Sequence, residues 1–348
     1  MTLLHLPIDV GNVTLCVSVR AGDEEFMGNH GDTVDEALLT TILPGVHVAA
    51  NHQLGSIDQG RPGPTVVVSG GMHGNEPAGV LAILRILNTL ATTNAPVAGH
   101  LLGLCGNVGA LRLGVRYTDR DLNRHWDAAS VAQLRATHGH TAEDVEQLEI
   151  LHAFDDAVAH ARGPIVHLDL HSMSADGVPF IVVCEHPQSV QLAHDLCLPG
   201  IVGLEKAIPA TTIEYFTTLG HIALAVEGGQ HHAESTVDTL ESVAWLLLAA
   251  VGAISWATVP DLQGRRDRLR QRGLNVPPVK VTYRHGIAPQ DHFRMKPGYR
   301  NLQAVHAGEV LAEDDRGPVR APESGWILLP LYQPVGTDGF FIGSAALG

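Results

Sequence analysis

From about residue 61 onward the chain alternates between short apolar runs rich in β-branched residues and longer stretches with helical spacing. Residues 65–68, 100–105, 164–170, 178–184 and 222–226 are predicted strands, and residues 78–90 and 141–161 are predicted helices. In the second helix Thr141 and Asp144 supply a cap, and Val145, Leu148, Leu151, Phe154 and Val158 form the stripe expected to face the core. Alternation of this kind predicts an α/β fold, a mostly parallel sheet flanked by helices on both faces. Upstream, β-like pieces at 13–19 and 46–50 are separated by the acidic, glycine-bearing segment 21–35. They read as leading strands of the same sheet or as a small N-terminal addition. Between residues 260 and 279 the texture changes to a charged segment with five arginines that ends in Pro277-Pro278; this reads as a solvated amphipathic helix or hinge. Beyond it come short β-like pieces divided by Gly and Pro, the pattern of a small all-β domain. The expected organisation is a main unit over residues 1–262, its first 60 residues a β-like extension, and a C-terminal β domain over 279–348.

Composition narrows the partners. With 45% hydrophobic and 17% charged residues the chain suits a globular protein. Its formal charge of −15 makes nucleic acid and anionic membrane poor partners; a homo-oligomer is compatible with it. Cys16, Cys105, Cys184 and Cys197 form no CxxC pair, which argues against a zinc-thiolate site and a disulfide-stapled secreted domain, and for a reducing cytoplasm. The first ten residues have no basic region and include Asp9, so they do not read as a signal peptide. The uncharged run 242–260 approaches the length of a membrane span. However, Glu241 and Asp261 bound it, Gly252 and Ser255 interrupt it, and residues 235–238 fit a capping box, so a buried helix is expected.

Candidate chemistry begins where the predicted strand 65–68 runs into Gly70-Gly71. His73 and Glu76 follow, and Pro77 then opens a helix. Imidazole and carboxylate are good zinc ligands, and a catalytic zinc takes three protein ligands and keeps one position open. Taken alone, this short motif reads first as a polar loop in which Asn75 or Glu76 caps a helix beside a bystander histidine. The segment 164–171 supplies the missing context. In an extended chain His167, Asp169 and His171 share one face while Val166, Leu168 and Leu170 share the other. Three polar groups on an apolar strand are costly to bury without partners. His171, at the strand's C-terminal end, is the third ligand; Asp169 orients an imidazole by accepting its second N–H, and His167 reads as a structural histidine. Glu227-Gly228-Gly229 ends another apolar strand, its plainer reading being an exposed loop glutamate. His73, Glu76, His171 and Glu227 all fall at C-terminal ends of predicted strands, where open α/β sheets bind ligands. Arginines at 112, 116, 120 and 124 surround Gly114 and several Asp, Thr and Asn residues, so a continuous helix is disfavoured. A loop displaying guanidinium groups suits recognition of a carboxylate.

Together these motifs carry a resemblance. His73-Gly74-Asn75-Glu76, then Arg116 to Asn123-Arg124, then Asp169-Leu170-His171, then Glu227-Gly228-Gly229, resemble the succinylglutamate desuccinylase/aspartoacylase family within the zinc carboxypeptidase superfamily. The likeness covers about residues 61–260, and the C-terminal segment is similar to the β domain that follows in such proteins. Order and spacing match together, with 95 residues from Glu76 to His171 and 56 from there to Glu227. The resemblance implies a zinc-carboxypeptidase-like fold with one zinc per chain, held by His73, Glu76 and His171. It implies Glu227 as the general base that activates water, Arg116 as the group that polarises the scissile carbonyl and stabilises the oxyanion, and Asn123 and Arg124 as ligands of the substrate carboxylate. The activity expected is hydrolysis of the amide of a small N-acyl amino acid. A metallocarboxypeptidase acting on short peptides is the alternative among enzymes. Glu227 argues against a non-catalytic metal or ligand-binding protein, which needs no free base beside its metal. A biotin or lipoyl carrier lacks an acceptor, since Lys296 sits beside Pro297. About sixty residues precede the strand before His73, unlike the family's short members, and no residue here is assigned to selecting an acidic acyl group.

Overall fold

The computed structural model describes residues 3–10, 13–20, 52–184, 187–273 and 276–346. The expected strand at 46–50 and the acidic segment 21–35 lie outside the described residues. Strands β1 (Leu3–Val10) and β2 (Val13–Arg20) pair antiparallel as a separate hairpin. The main unit then runs β3 (Gln53–Asp58), β4 (Thr65–Gly70), α1 (Ala78–Thr92), β5 (His100–Cys105), α2 (Ala142–Ala159), β6 (Ile165–Met173), β7 (Phe180–Val183), β8 (Gly200–Val202), α3 (Thr212–Thr218), β9 (Ile222–Gln230), α4 (Glu234–Ala250) and α5 (Leu262–Gly273), with shorter helices between. Seven strands complete the chain: β10 (Val279–Gly286), β11 (Arg294–Met295), β12 (Gln303–Val305), β13 (Val310–Asp314), β14 (Gly317–Arg320), β15 (Gly325–Leu328) and β16 (Asp338–Ala345).

The main sheet has the order β12-β15-β16-β10-β8-β7-β9-β6-β4-β5-β3. Its centre, β5-β4-β6-β9, is parallel throughout. The β-branched run of β4 is buried along its whole length, as a parallel strand covered on both faces must be. On one face Val66, Val68, Leu168, Leu170, Leu224 and Val226 pack under α1 and α4. On the other, Val67, Leu102, Ala223 and Ala225 pack under Phe154 of α2 and Phe216 of α3. The C-terminal strands divide between two settings. β11, β13 and β14 form a small antiparallel sheet, while β10 extends the main sheet by pairing parallel with β8 at Val279 and Lys280. Val279, Leu328 and Phe341 accordingly join the second core, while Leu311, Ile327, Phe340 and Ile342 form a third.

Two helices differ from their sequence pattern. Thr141 does cap α2, with its hydroxyl accepting the Asp144 N–H and the Asp144 carboxylate accepting the Thr141 N–H. However, Val145 and Val158 of the expected core stripe are 54% and 37% exposed. The buried face instead starts at Glu143 and Gln147 and continues through Ile150, Leu151 and Phe154. The helix is turned because Glu143 binds the loop ahead of it: its carboxylate accepts hydrogen bonds from the backbone N–H groups of Thr118, Asp119 and Arg120, the Thr118 hydroxyl and the Asn107 amide. Helix α4 is buried, and its N-cap is Ala233 with no side-chain cap, so the capping box read at 235–238 does not form. Among the described residues no helix is long and apolar enough to cross a membrane. The arginines of α5 are partly engaged: Arg265 binds Glu241 and Ser242, and Arg272 binds Thr239 and Ser235.

Candidate active site

Strand β4 delivers the first two candidate ligands. It ends at Gly70, and Gly71 takes a left-handed φ of 73° that turns the chain. The loop then passes so close to the helix Val108–Leu113 that a Cβ on Gly74 would lie 2.1 Å from the Ala110 carbonyl carbon. Held this way, His73 and Glu76 are both buried. His171 arrives on the adjacent strand β6, which pairs with β4 through Gly70 and Leu170.

The three side chains converge. Glu76 Oε1 lies 2.8 Å from His73 Nδ1, and Oε2 lies 3.1 Å from His171 Nδ1 while accepting the Ser172 N–H at 2.9 Å. One donor atom from each residue lies within 4.8 Å of the other two. The outer ring nitrogens face carboxylates: His73 Nε2 is 3.2 Å from Asp121 Oδ1, and His171 Nε2 is 2.9 Å from Asp169 Oδ2. Asp169 is fixed in turn by the Ser69 and Thr212 hydroxyls at 2.7 and 2.6 Å. Each ring has a carboxylate at both nitrogens, Glu76 on the Nδ1 side and Asp121 or Asp169 on the Nε2 side, and Arg116 Nη2 also lies 2.8 Å from His73 Nε2. A cation taking the Nδ1 atoms would leave the outer carboxylates to accept from Nε2, as they do behind metal-ligating histidines. Two histidines and a glutamate form a known catalytic zinc donor set, so these residues fit that ion. Burial alone raises the Glu76 carboxyl, but His73 and His171 hold it well below the usual range; Asp121 is likewise held low by His73 and Arg116 against its burial.

Glu227 stands beside this group on β9. Its Oε2 is closed off from solvent and has no hydrogen-bond partner among the described residues. Desolvation pushes its carboxyl up to about 8, against the pull of His171 and Arg116. Arg116 donates from Nε and Nη2 to Asp121 Oδ2 at 3.0 and 2.9 Å, and its Nη1 lies 3.7 Å from Glu76. Arg124 lines the same cavity as Glu76, Arg116 and Glu227. Asn123 is buried behind it, with Oδ1 accepting the Thr212 N–H and Nδ2 lying 3.3 Å from His171 Nε2. His167 is set apart from the ligands. Its Nε2 donates to Ser69 Oγ at 2.9 Å, its ring stacks on Phe216, and burial pushes it down to about 4, so it is neutral.

Several residues at the site were not singled out in the sequence. Asp121 lies within a motif that was noticed for its arginines. Ser172 and His231 bond to each other at 2.8 Å, and Gln333 Oε1 accepts from His231 Nε2 at 3.2 Å and from Asn75 Nδ2 at 2.9 Å. Gln333 therefore ties the C-terminal segment to the loop of His73 and Glu76. Asp338, at the start of β16, also lines the cavity. His231 follows Glu227-Gly228-Gly229 closely enough to have been suspected; Gln333 and Asp338 carry no motif.

Comparison with known proteins follows this geometry. The catalytic-domain profile described as Succinylglutamate desuccinylase/Aspartoacylase matches residues 62–249. A succinylglutamate desuccinylase of Burkholderia pseudomallei is 38% identical over 109 residues, which are 31% of this chain and 30% of that protein. That match spans less than a third of the relative's length. One from Serratia proteamaculans is 25% identical over 275 residues, covering 76% of this chain and 79% of the relative. Among solved structures, the succinylglutamate desuccinylase from Chromobacterium violaceum superposes with a TM-score of 0.58 at 21% identity, over 82% of this chain and 86% of that one. The product-bound ectoine utilization protein of Ruegeria pomeroyi gives 0.59 at 18% identity, over 83% and 88%. At these identities the likeness is one of fold.

Proposed function

Because the chain belongs to the succinylglutamate desuccinylase/aspartoacylase family, we propose that it is a zinc-dependent hydrolase that cleaves the amide bond of a small N-acyl amino acid. The observation that carries this reading is the convergence of His73, Glu76 and His171 beside Glu227, whose Oε2 has no hydrogen-bond partner among the described residues. His73 Nδ1, a Glu76 oxygen and His171 Nδ1 would hold one zinc per chain. Bound there, zinc supplies Lewis acidity, acidifying water and polarising a carbonyl.

The remaining steps belong to the chain's own groups. Glu227 Oε2 is the general base that takes a proton from the attacking water and later delivers it to the leaving amine. Arg116, oriented by Asp121, presents its guanidinium where negative charge develops on the carbonyl oxygen. Arg124 takes the amino-acid carboxylate, and Asn123 supplies its Nδ2 donor next to it. Asp121 and Asp169 keep the two imidazoles in the tautomer that offers Nδ1. We assign catalysis to the unit over residues 1–262, with the C-terminal β segment closing the cavity through Gln333.

A carboxypeptidase acting on short peptides would need the same groups and more room. The cavity is only about 100 Å³, below the roughly 300–1,000 Å³ typical of small-molecule sites, which favours the compact acyl amino acid. Metal analysis followed by parallel assays of N-acyl amino acids and of dipeptides tests the proposal. Preferred hydrolysis of dipeptides, or a chain that takes up no zinc, would overturn it.

A further inference from the structure

Selectivity for the acyl group rests on how many carboxylates the cavity can accept. Two arginines line it, Arg116 and Arg124. Arg116 gives Nε and Nη2 to Asp121 and lies beside Glu76, and the deacylase reading reserves what remains of its guanidinium for the carbonyl oxygen. Among the described residues this leaves Arg124 as the one guanidinium in the cavity available to a substrate carboxylate. The segments outside the described residues contain no Lys or Arg. On the far side of Arg124 stands Asp338, with Oδ2 3.8 Å from Arg124 Nη2 and Oδ1 2.5 Å from Arg284 Nε. Thus Asp338 already occupies the position from which a second anion would approach either arginine. The rest of the wall is half apolar, with Met173, Ile208, Leu329, Leu331 and Phe341, and half polar. Its polar side chains are already engaged: Ser172 with His231, His231 with Gln333, Ser174 with the Tyr332 N–H, and Thr337 with Asp338.

An N-succinyl amino acid carries a carboxylate on the acyl group as well as the one on the amino acid. One finds Arg124; the other meets the like charge of Asp338 on a wall whose polar side chains are already engaged, and a charge left there without a partner is strongly disfavoured. A short neutral acyl group meets neither problem. We propose that Asp338 is a specificity-determining residue that excludes a second carboxylate, so that the substrate is an N-acyl amino acid with a short neutral acyl group and a non-acidic side chain. This rests on the deacylase reading and sharpens it, since several relatives are named for a substrate with an acidic acyl group.

The test compares N-acetyl-alanine with N-succinyl-alanine, by kinetics on the zinc-loaded protein and by titration calorimetry on zinc-loaded and metal-free protein. The wild type should favour the acetyl compound by about tenfold or more in kcat/KM, mostly through KM, and by a similar factor in Kd. Asp338→Asn should narrow both ratios about tenfold by improving the succinyl compound, and Asp338→Glu should restore them. This is a gain of affinity, which damage to the fold does not produce. A wild type that prefers the succinyl compound, or ratios unchanged in Asp338→Asn, would overturn the role of Asp338 while leaving the deacylase reading intact. If neither compound is hydrolysed the deacylase reading falls, and calorimetry still decides Asp338: equal Kd values count against it, and a preference for the acetyl compound that Asp338→Asn abolishes supports it.

Discussion

His171 and Glu227 are register partners on the adjacent parallel strands β6 and β9. Backbone pairing therefore sets the spacing between a candidate ligand and the candidate base, and neither depends on a flexible loop for its position. The same sheet holds His73 and Glu76 at the end of β4, one strand further on. Glu227 therefore lies beside the candidate ligands, outside the group whose donor atoms converge. Glu227→Gln keeps the size of the side chain and removes the proton acceptor. Turnover should fall by roughly 10²- to 10⁴-fold, with zinc still bound. Near-normal kcat in a zinc-loaded mutant would remove Glu227 from the mechanism, and loss of zinc would make it a ligand.

The metal site should depend on the carboxylates behind the rings as well as on the rings. His73→Ala and His171→Ala should each abolish stoichiometric zinc, because losing one of three ligands leaves too few donors. Asp121→Asn leaves the ligands in place and weakens the acceptor behind His73. Its zinc affinity should drop about 10- to 100-fold, read by competition with a chelating dye. Full zinc occupancy in both histidine mutants would contradict the assignment.

The two arginines should separate in kinetics. Arg124 faces a carboxylate present from binding to product, so Arg124→Ala should mainly raise KM. Arg116 faces charge that appears only in the transition state, so Arg116→Ala should mainly lower kcat. Arg116 also binds Asp121, so zinc content must be measured on the same preparation. Purely KM effects in both mutants would show that the roles are misassigned.

The sequence made the strands legible because short apolar, β-branched runs mark them plainly, and so the strands carrying His171 and Glu227 could be placed without coordinates. Their ends were not: β6 runs on to Met173 and β9 through Gly228 and Gly229 to Gln230, so both residues sit inside the ladder rather than at its end. Helix α2 was harder to read. A stripe of apolar residues is normally the buried one, yet here Glu143 and Gln147 are buried because the preceding loop needs a carboxylate to collect its N–H groups. That requirement is tertiary and leaves no periodic mark. Asn75–Gln333 and Arg124–Asp338 are contacts across more than two hundred residues, with partners in irregular segments or at a strand's first residue. No local pattern predicts them.

A last prediction concerns stability. His52 is buried, with Nδ1 donating to the Cys105 carbonyl at 2.9 Å and Nε2 lying 3.0 Å from both Glu146 and Glu149 of α2. Acceptors at both nitrogens call for the imidazolium. Burial by itself lowers the pKa, but Glu146 and Glu149 outweigh it and raise the group to about 10. A pKa raised on folding stabilises most where both states are protonated, below the unfolded value near 6.5, and that stabilisation is lost as pH rises towards 10. His52→Gln retains a donor without the charge. It should cost about 2 kcal/mol at pH 6, the worth of a hydrogen bond to a charged group, and progressively less at pH 8 and 9.5. Urea unfolding of wild type and mutant at the three values measures the difference. A cost that stays constant with pH would mean that His52 is neutral in the folded chain and that its contacts with Glu146 and Glu149 carry no ionic contribution.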